Sequence, residues 1–204
     1  MAKQAQIFDI PILSLRPTQA TVGYREVRRK RSDWRAHVAT KGPRFTATHV
    51  IPVVVGPAAR PYAIDRHHLA RALHDEGVKR VAISVVADAS SLPCHKFWDY
   101  LATRSWGHLA DEDGRPVDPW TMPMTIAEVA DDPYRSLAGA LRRSGGYLKS
   151  PAPCSEFLWA DFLRARIDPD LLRHDFDAAL ACALVLAKAP PTAALPYSDM
   201  RETV

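Results

Sequence analysis

The residues best equipped for chemistry are the consecutive Asp65-Arg66-His67-His68, with Arg71 three positions on. The apolar Pro61-Tyr62-Ala63-Ile64 runs into them as a short strand, and Leu69, Ala72 and Leu73 recur after them on one side of a helix. A strand-to-helix join of this kind presents the unpaired N–H groups of the helix's first turn and the positive end of its dipole, which together favour an anion. Arg66, His67, His68 and Arg71 add cationic or hydrogen-bonding groups, and Asp65 adds a carboxylate, so the chemistry that fits is phosphate binding. The plainer account of the same residues makes Asp65 an N-cap and lets the histidines line the helix start. Their clustering at one join favours function. Adjacent residues on a helix diverge by about 100°, so His67 and His68 do not converge on one ion. No metal site of the protein's own is expected, whereas a bound nucleotide would bring Mg2+ with it.

Glu26 is the second candidate. It is one of two acids in a basic stretch, where Arg25, Arg28, Arg29, Lys30, Arg31 and Arg35 stand against Glu26 and Asp33 alone. A carboxylate among arginines suits ligand positioning or the proton acceptor of a phosphoryl transfer; taken alone, pairing with Arg29 or Lys30 along the helix is the better account of it. The rest of the chain is balanced at 21 basic and 21 acidic residues, so this stretch holds the whole net charge of +4. Arg25, Arg28, Arg29 and Arg31 are thereby candidate nucleic-acid contacts, or else a solvated helix face. Cys94-His95 is a poor nucleophile pair, because neighbours on a helix rarely have general-base geometry. Trp98, Trp106, Trp120 and Trp159 read as core residues, and Asp131, Asp132 and Asp161 as caps and surface charges. There is no phosphate-binding glycine loop of either common type and no nucleophile elbow.

The elements that must position these residues begin with a strand and turn over 7–15. The spacing of Tyr24, Val27, Trp34 and Val38 predicts a helix over about 24–39. Val50-Ile51-Pro52-Val53-Val54-Val55 reads as a strand buried on both faces, closed by Gly56-Pro57. The strand ending at Ile64 follows, then a helix over about 66–76 stopped by Gly77, then a strand over 80–86. That order predicts a small mixed-sheet α/β domain over residues 1–90. Beyond it the pattern is helical, over 91–190, with a tail at 191–204. One helix runs from a Ser91-Leu92-Pro93 cap to about Ser105, a loop follows with an Asp113-Gly114 turn, and Thr125–Glu128 fits a capping box. Asp132-Pro133 opens a helix ending at Gly145-Gly146, Ser155 opens another, and Asp168-Pro169 opens a last one to about Lys188, stopped by Pro190-Pro191.

At 204 residues, 47% apolar and 25% charged, the chain has enough material for a buried core. No apolar run approaches the roughly 20 residues of a membrane span, and the first residues lack a signal peptide's apolar region. Cys94, Cys154 and Cys182 have neither disulfide-framework nor zinc spacing, so reduced thiols in a cytoplasm are expected.

Several segments together resemble the ParB/sulfiredoxin superfamily and, within it, the ParB-like nucleases. They are Leu15–Gln19 with Val22–Val27, the strand 50–55, Ile64-Asp65 with Arg66–Leu73, Asp132–Gly139 and Glu156–Phe162, covering most of residues 7–166. The superfamily includes a CTP-binding partition clamp protein, an ATP-using peroxiredoxin-repair enzyme and kinases of free serine. The resemblance therefore implies a nucleotide phosphate at the start of the helix 66–76 and an enzyme acting on phosphate esters. Resemblance to the serine kinases implies a catalytic role for Glu26 and phosphate contacts for Asp65, His67 and His68. Two departures stand out. Arg66 occupies a position where many members have glycine, and the cysteine that sulfinic-acid repair requires is missing from this loop. The alternatives are a small-molecule kinase and a non-catalytic DNA- or nucleotide-binding module.

Overall fold

The computed structural model describes residues 7–148 and 155–188. The expected tail over 191–204, the stop at Pro190-Pro191 and Cys154 lie outside them. The chain divides into two compact units, one of residues up to Val22 with Glu26–Asp131, the other of Gly23–Arg25 with residues from Asp132 onward.

The first unit is built on a five-stranded mixed sheet. Its strands are β1 (Ile7–Pro11), β2 (Arg16–Pro17), β4 (Ile51–Gly56), β5 (Arg60–Ala63) and β6 (Arg80–Asp88), in the order β1-β6-β4-β5-β2. β4 lies parallel to β6 and antiparallel to β5; β1 is antiparallel to β6, and β2 parallel to β5. The β-branched run 50–55 is thus the central strand. Ile51, Val53 and Val54 are fully buried, as a strand covered on both faces requires. Val54 packs with Phe97, Trp98 and Leu101 of α3 (Cys94–Ala102). At Gly56 a Cβ atom would come within 2.6 Å of the Tyr62 ring and 2.7 Å of the Phe97 ring, so only glycine lets that helix seat.

α1 (Tyr24–Lys41) extends slightly beyond its expected end, and α2 (His67–Asp75) lies within the expected 66–76. Gly77, at φ +75°, terminates α2 as its left-handed geometry demands. Three two-residue strands were not legible in the sequence. β2 is a two-residue edge, and β3 (Thr21–Val22) pairs in parallel with β7 (Ala130–Asp131). Pairs this short leave no periodicity to read.

Other expectations shift in detail. Pro93, not Ser91, stands at the N-cap of α3, with no side-chain cap. The Thr125–Glu128 motif starts only a 3-10 turn. There the Glu128 carboxylate accepts from the Met124 amide and the Thr125 hydroxyl, without the reciprocal Thr125 bond. Trp98 and Trp159 are core residues, but Trp120 is 68% exposed.

The second unit is helical. α4 (Pro133–Arg143) and α5 (Ser155–Arg164) share a core of Tyr134, Leu137, Leu141, Trp159 and Leu163. The helix expected from Pro169 to Lys188 is two helices, α6 (Pro169–His174) and α7 (Phe176–Lys188), broken at Asp175. Asp175 adopts φ −140°, and its carboxylate accepts from the Ala178 amide, so it caps the new helix rather than continuing the old one. Asp132 is the N-cap of α4. It is buried rather than a surface charge, accepts from the amides of Tyr134 (2.9 Å) and Arg135 (3.3 Å), and pairs with Arg164 at 2.6 Å.

Candidate phosphate site at the start of α2

Ala63 ends β5 and His67 begins α2, so the chain turns through Ile64, Asp65 and Arg66. The turn is made by Arg66, the N-cap, in the left-handed conformation at φ 63° and ψ 28°. Glycine adopts that region without cost, whereas an arginine there is strained by roughly 1 kcal/mol or more. The Arg66 side chain supplies a compensation. Its Nη1 donates to the carbonyls of Val50 (2.7 Å) and Ala47 (3.1 Å), fastening the loop that leads into β4. This guanidinium therefore holds protein carbonyls, and its backbone forms the corner.

Asp65 is exposed, and its Oδ1 accepts from the Arg66 amide at 2.6 Å. It is not the N-cap; Arg66 is, and its side chain makes no cap hydrogen bond to α2. His68 is half-buried in the first turn. Arg71 is held by Asp75 at 2.9 Å and by the Val129 carbonyl at 2.8 Å, which fixes a cationic group one turn along the helix.

His67 behaves differently from its neighbour. It is 1% exposed, and its Nε2 accepts from the backbone N–H of Thr18 at 3.1 Å. An accepting Nε2 places the ring proton on Nδ1 and makes the imidazole neutral. Thr18 is itself fully buried. Its hydroxyl donates toward the carbonyls of Ala63 (2.8 Å) and Trp106 (2.7 Å), and its carbonyl accepts from the His108 amide at 2.8 Å. One threonine thus ties β5, the start of α2 and the loop at 106–108 to the segment after β2. Sequence reasoning missed this hub. Its only signal was a β-branched polar residue just after Arg16-Pro17, which does not distinguish a buried tie from a turn.

Glu26 lies in the first turn of α1, 7% exposed, with Arg29 at 3.4 Å. Arg29 also reaches Asp33 at 3.3 Å. Farther along α1, Arg31 (2.6 Å) and Arg35 (2.7 Å) converge on Glu76 at the C-cap of α2. Much of the basic stretch is therefore neutralised within the first unit. Arg28 remains exposed, while Arg25 lies over the Phe176 ring at 3.6 Å. The hydrogen bonds from Arg35 and then Arg31 hold the Glu76 carboxyl below its ordinary value of 4.5. A depressed native pKa stabilises the fold above 4.5, and that contribution is lost as pH falls through the folded value. Glu76→Gln should consequently remove part of the acid-limb slope in a pH–stability series. It should cost under about 1 kcal/mol at neutral pH and raise salt-sensitive DNA binding several-fold by releasing two guanidinium groups. Unchanged DNA binding at low salt would show that α1 is no nucleic-acid surface.

The loop fastened by Arg66 also carries an aromatic–histidine cluster that the sequence did not reveal. Trp34 and His37 of α1 pack with Phe45 and His49, and the two histidine rings lie 4.6 Å apart. Burial first, then His37, Arg66 and Lys30, push the His49 pKa down. Among the described residues no three His, Cys, Asp or Glu side chains are grouped to hold a metal ion.

With this geometry in view, the protein-family profile described as "Putative ParB-like nuclease" matches residues 8–165. The chain belongs to the ParB-like nuclease family. The match spans β1 to α5 and includes Glu26 and the whole turn from Asp65 to Arg71. Among solved structures, protein Atu1540 from Agrobacterium tumefaciens is 48% identical, with a TM-score of 0.83 over 90% of this chain and 93% of that one. The C-terminally truncated chromosome-partitioning protein ParB from Caulobacter crescentus, complexed with CTP-gamma-S, is 16% identical, over 90% of this chain and 97% of that one. Its TM-score is 0.31. A comparison with curated proteins gives no match. The ParB-like fold seen here is a mixed sheet with a helical C-terminal region, and among the described residues no helix is long and apolar enough to cross a membrane.

Proposed function

We propose that this member of the ParB-like nuclease family is an enzyme acting on phosphate esters that binds a nucleotide, or another phosphate ligand, at the start of α2. The observation that carries the reading is the turn into α2, where the N-cap Arg66 makes no side-chain cap and Asp65, His68 and Arg71 stand within five residues of it in the chain. A phosphate there would take hydrogen bonds from first-turn N–H groups and align with the helix dipole. His68 and Asp65 are the side chains to orient it. Arg71, ordered by Asp75, contributes positive charge from the second turn. Arg66 acts through its backbone, because its guanidinium already serves the 47–50 loop. His67 acts by positioning, since its ring fixes Thr18.

Mg2+ would enter with the phosphates, with Asp65 as its protein carboxylate, and would neutralise phosphate charge when bound. The low exposure of Glu26 favours one variant of this reading, in which Glu26 takes a proton from a small hydroxyl acceptor. That variant is a small-molecule kinase, and its mark is nucleotide turnover only when the hydroxyl compound is supplied.

Calorimetric titration with ATP, ADP and CTP in the presence of MgCl2 tests the proposal on wild type, His68→Ala and Asp65→Ala. One nucleotide should bind, and each substitution should weaken it at least about tenfold, a change of 1.4 kcal/mol. Binding of none of the three would remove the nucleotide reading and leave DNA binding through Arg25, Arg28, Arg29 and Arg31 to be measured.

A further inference from the structure

α7 is apolar without interruption from Ala178 to Ala187, and its only charged residues are Asp177 at its start and Lys188 at its end. A helix on the surface of a globular unit normally carries polar residues on its outward face, and one that is apolar all round is normally covered. Ala179, Ala183 and Ala187 account for the inward face, buried against the core of α4, α5 and α6. The opposite face holds Asp177, Ala181, Cys182, Val185 and Lys188, all exposed, with Val185 at 71%. Leu184, half-buried, borders it. Among the described residues nothing covers this face, a hydrophobic stripe with a negative charge at one end and a positive charge at the other.

The placement of those charges identifies the occupant. At 100° and 1.5 Å per residue, Asp177 and Lys188 stand within about 20° of each other around the helix and roughly 16 Å apart along it. A two-fold axis midway between them passes between Ala181 and Leu184, which flank the same line along the helix. Rotation about that axis lays a second α7 antiparallel on the first and brings Asp177 of each copy against the partner's Lys188. The same rotation sets Ala181 of each copy against the partner's Leu184, with Val185 beside that line, the reciprocal pairing that an isologous contact requires. An unrelated partner would need its own matching pattern; a second copy has it by construction. We propose that the outward face of α7 is the interface between two copies of this chain, packed antiparallel about a two-fold axis between Ala181 and Leu184. A contact of one helix on one helix is small, so the dimer should be a weak, reversible one.

Sedimentation velocity on the full chain over a wide concentration range tests this. Wild type should show a monomer–dimer equilibrium in the micromolar range. Val185→Asp should weaken it at least about tenfold with the circular dichroism spectrum unchanged, since Val185 is exposed and its replacement leaves the core intact. Asp177→Lys and Lys188→Asp should each weaken the dimer by placing like charges together, and the double variant should recover it. Recovery by the double variant is a result that only antiparallel self-pairing produces. A wild-type monomer at all concentrations overturns the proposal. If Cys182 in that monomer is also slow to react with a thiol reagent, residues beyond Lys188 of the same chain become the occupant instead. A dimer indifferent to all these substitutions overturns it as well, by placing the interface elsewhere.

Discussion

His67→Ala should cost about 3–5 kcal/mol of stability, the range for truncating a large buried ring, before any effect on ligand binding is considered. The ring is 1% exposed, and its Nε2 receives the Thr18 N–H. Alanine removes the packed ring and also strands that amide, which is itself buried and would lack its acceptor. An orphaned buried donor alone costs roughly 1–3 kcal/mol. Because Thr18 also joins Ala63, Trp106 and His108, the loss should spread to the loop at 106–108. Urea unfolding should show a midpoint lower by one to two molar, on the order expected from usual m-values. Hydrogen exchange should show early opening at the His108 amide. His68→Ala, half-buried one residue away, should change stability by under about 1 kcal/mol. The two adjacent histidines thus separate by experiment, one failing in stability and the other in ligand affinity. If His67→Ala folded with wild-type stability and lost only nucleotide binding, the structural role assigned to it would be wrong.

A loss of similar size is expected at Asp132. This carboxylate caps α4 through two amides and pairs with Arg164, whose side chain is itself largely buried. Asp132→Ala removes both roles. It leaves a mostly buried guanidinium whose remaining carboxylate partner among the described residues is the more exposed Asp161, and breaking one side of a buried pair costs about 3–5 kcal/mol. Asp132→Asn keeps an N-cap acceptor and should lose about 1 kcal/mol less. The pH dependence separates the charge from the cap. Burial pushes the Asp132 carboxyl above its ordinary value of 3.8, outweighing the pull of Arg164 and of the Arg135 amide. A raised native pKa means that the folded state binds the proton more tightly than the unfolded one. The contribution is present below 3.8 and is lost as pH rises through the folded value. The stability of wild type relative to Asp132→Asn should therefore fall as pH rises through that window and then level off. Thermal melts of both proteins from acid to neutral pH would show it. A wild type that gained on the asparagine variant over the same window would mean that the ion pair with Arg164, not burial, governs the site.

The elements legible in the sequence were those with a strong local signal. A β-branched run without polar alternation favours a strand covered on both faces, so Val50–Val55, broken only by Pro52, announced the centre of the sheet. Amphipathic spacing with a glycine stop announced α2, and Asp-Pro pairs announced α4 and α6. Hydrophobic period and backbone rules act over a few residues, and a sequence displays them directly. The candidate phosphate turn was legible for the same reason, as polar residues concentrated where a buried strand meets a helix. The break at Asp175 was not, because the apolar pattern runs on through Leu180 to Leu186 and only the local capping geometry interrupts it.

The sequence by itself determined the mixed α/β class, the strand-to-helix turn at 64–67 and the concentration of positive charge on α1. Tertiary structure alone decided the role of each polar group within that frame. His67 and His68 are identical in type and adjacent in sequence, yet a turn of about 100° sends one to Thr18 in the interior and leaves the other half-exposed. Arg66 could have faced a ligand, but its left-handed backbone aims the guanidinium at the carbonyls of Ala47 and Val50. Arg31 and Arg35 read as free charge until Glu76, more than 40 residues away, is folded against them. Partners brought together from distant positions set burial, tautomer and charge compensation, and a linear pattern holds no record of such partners.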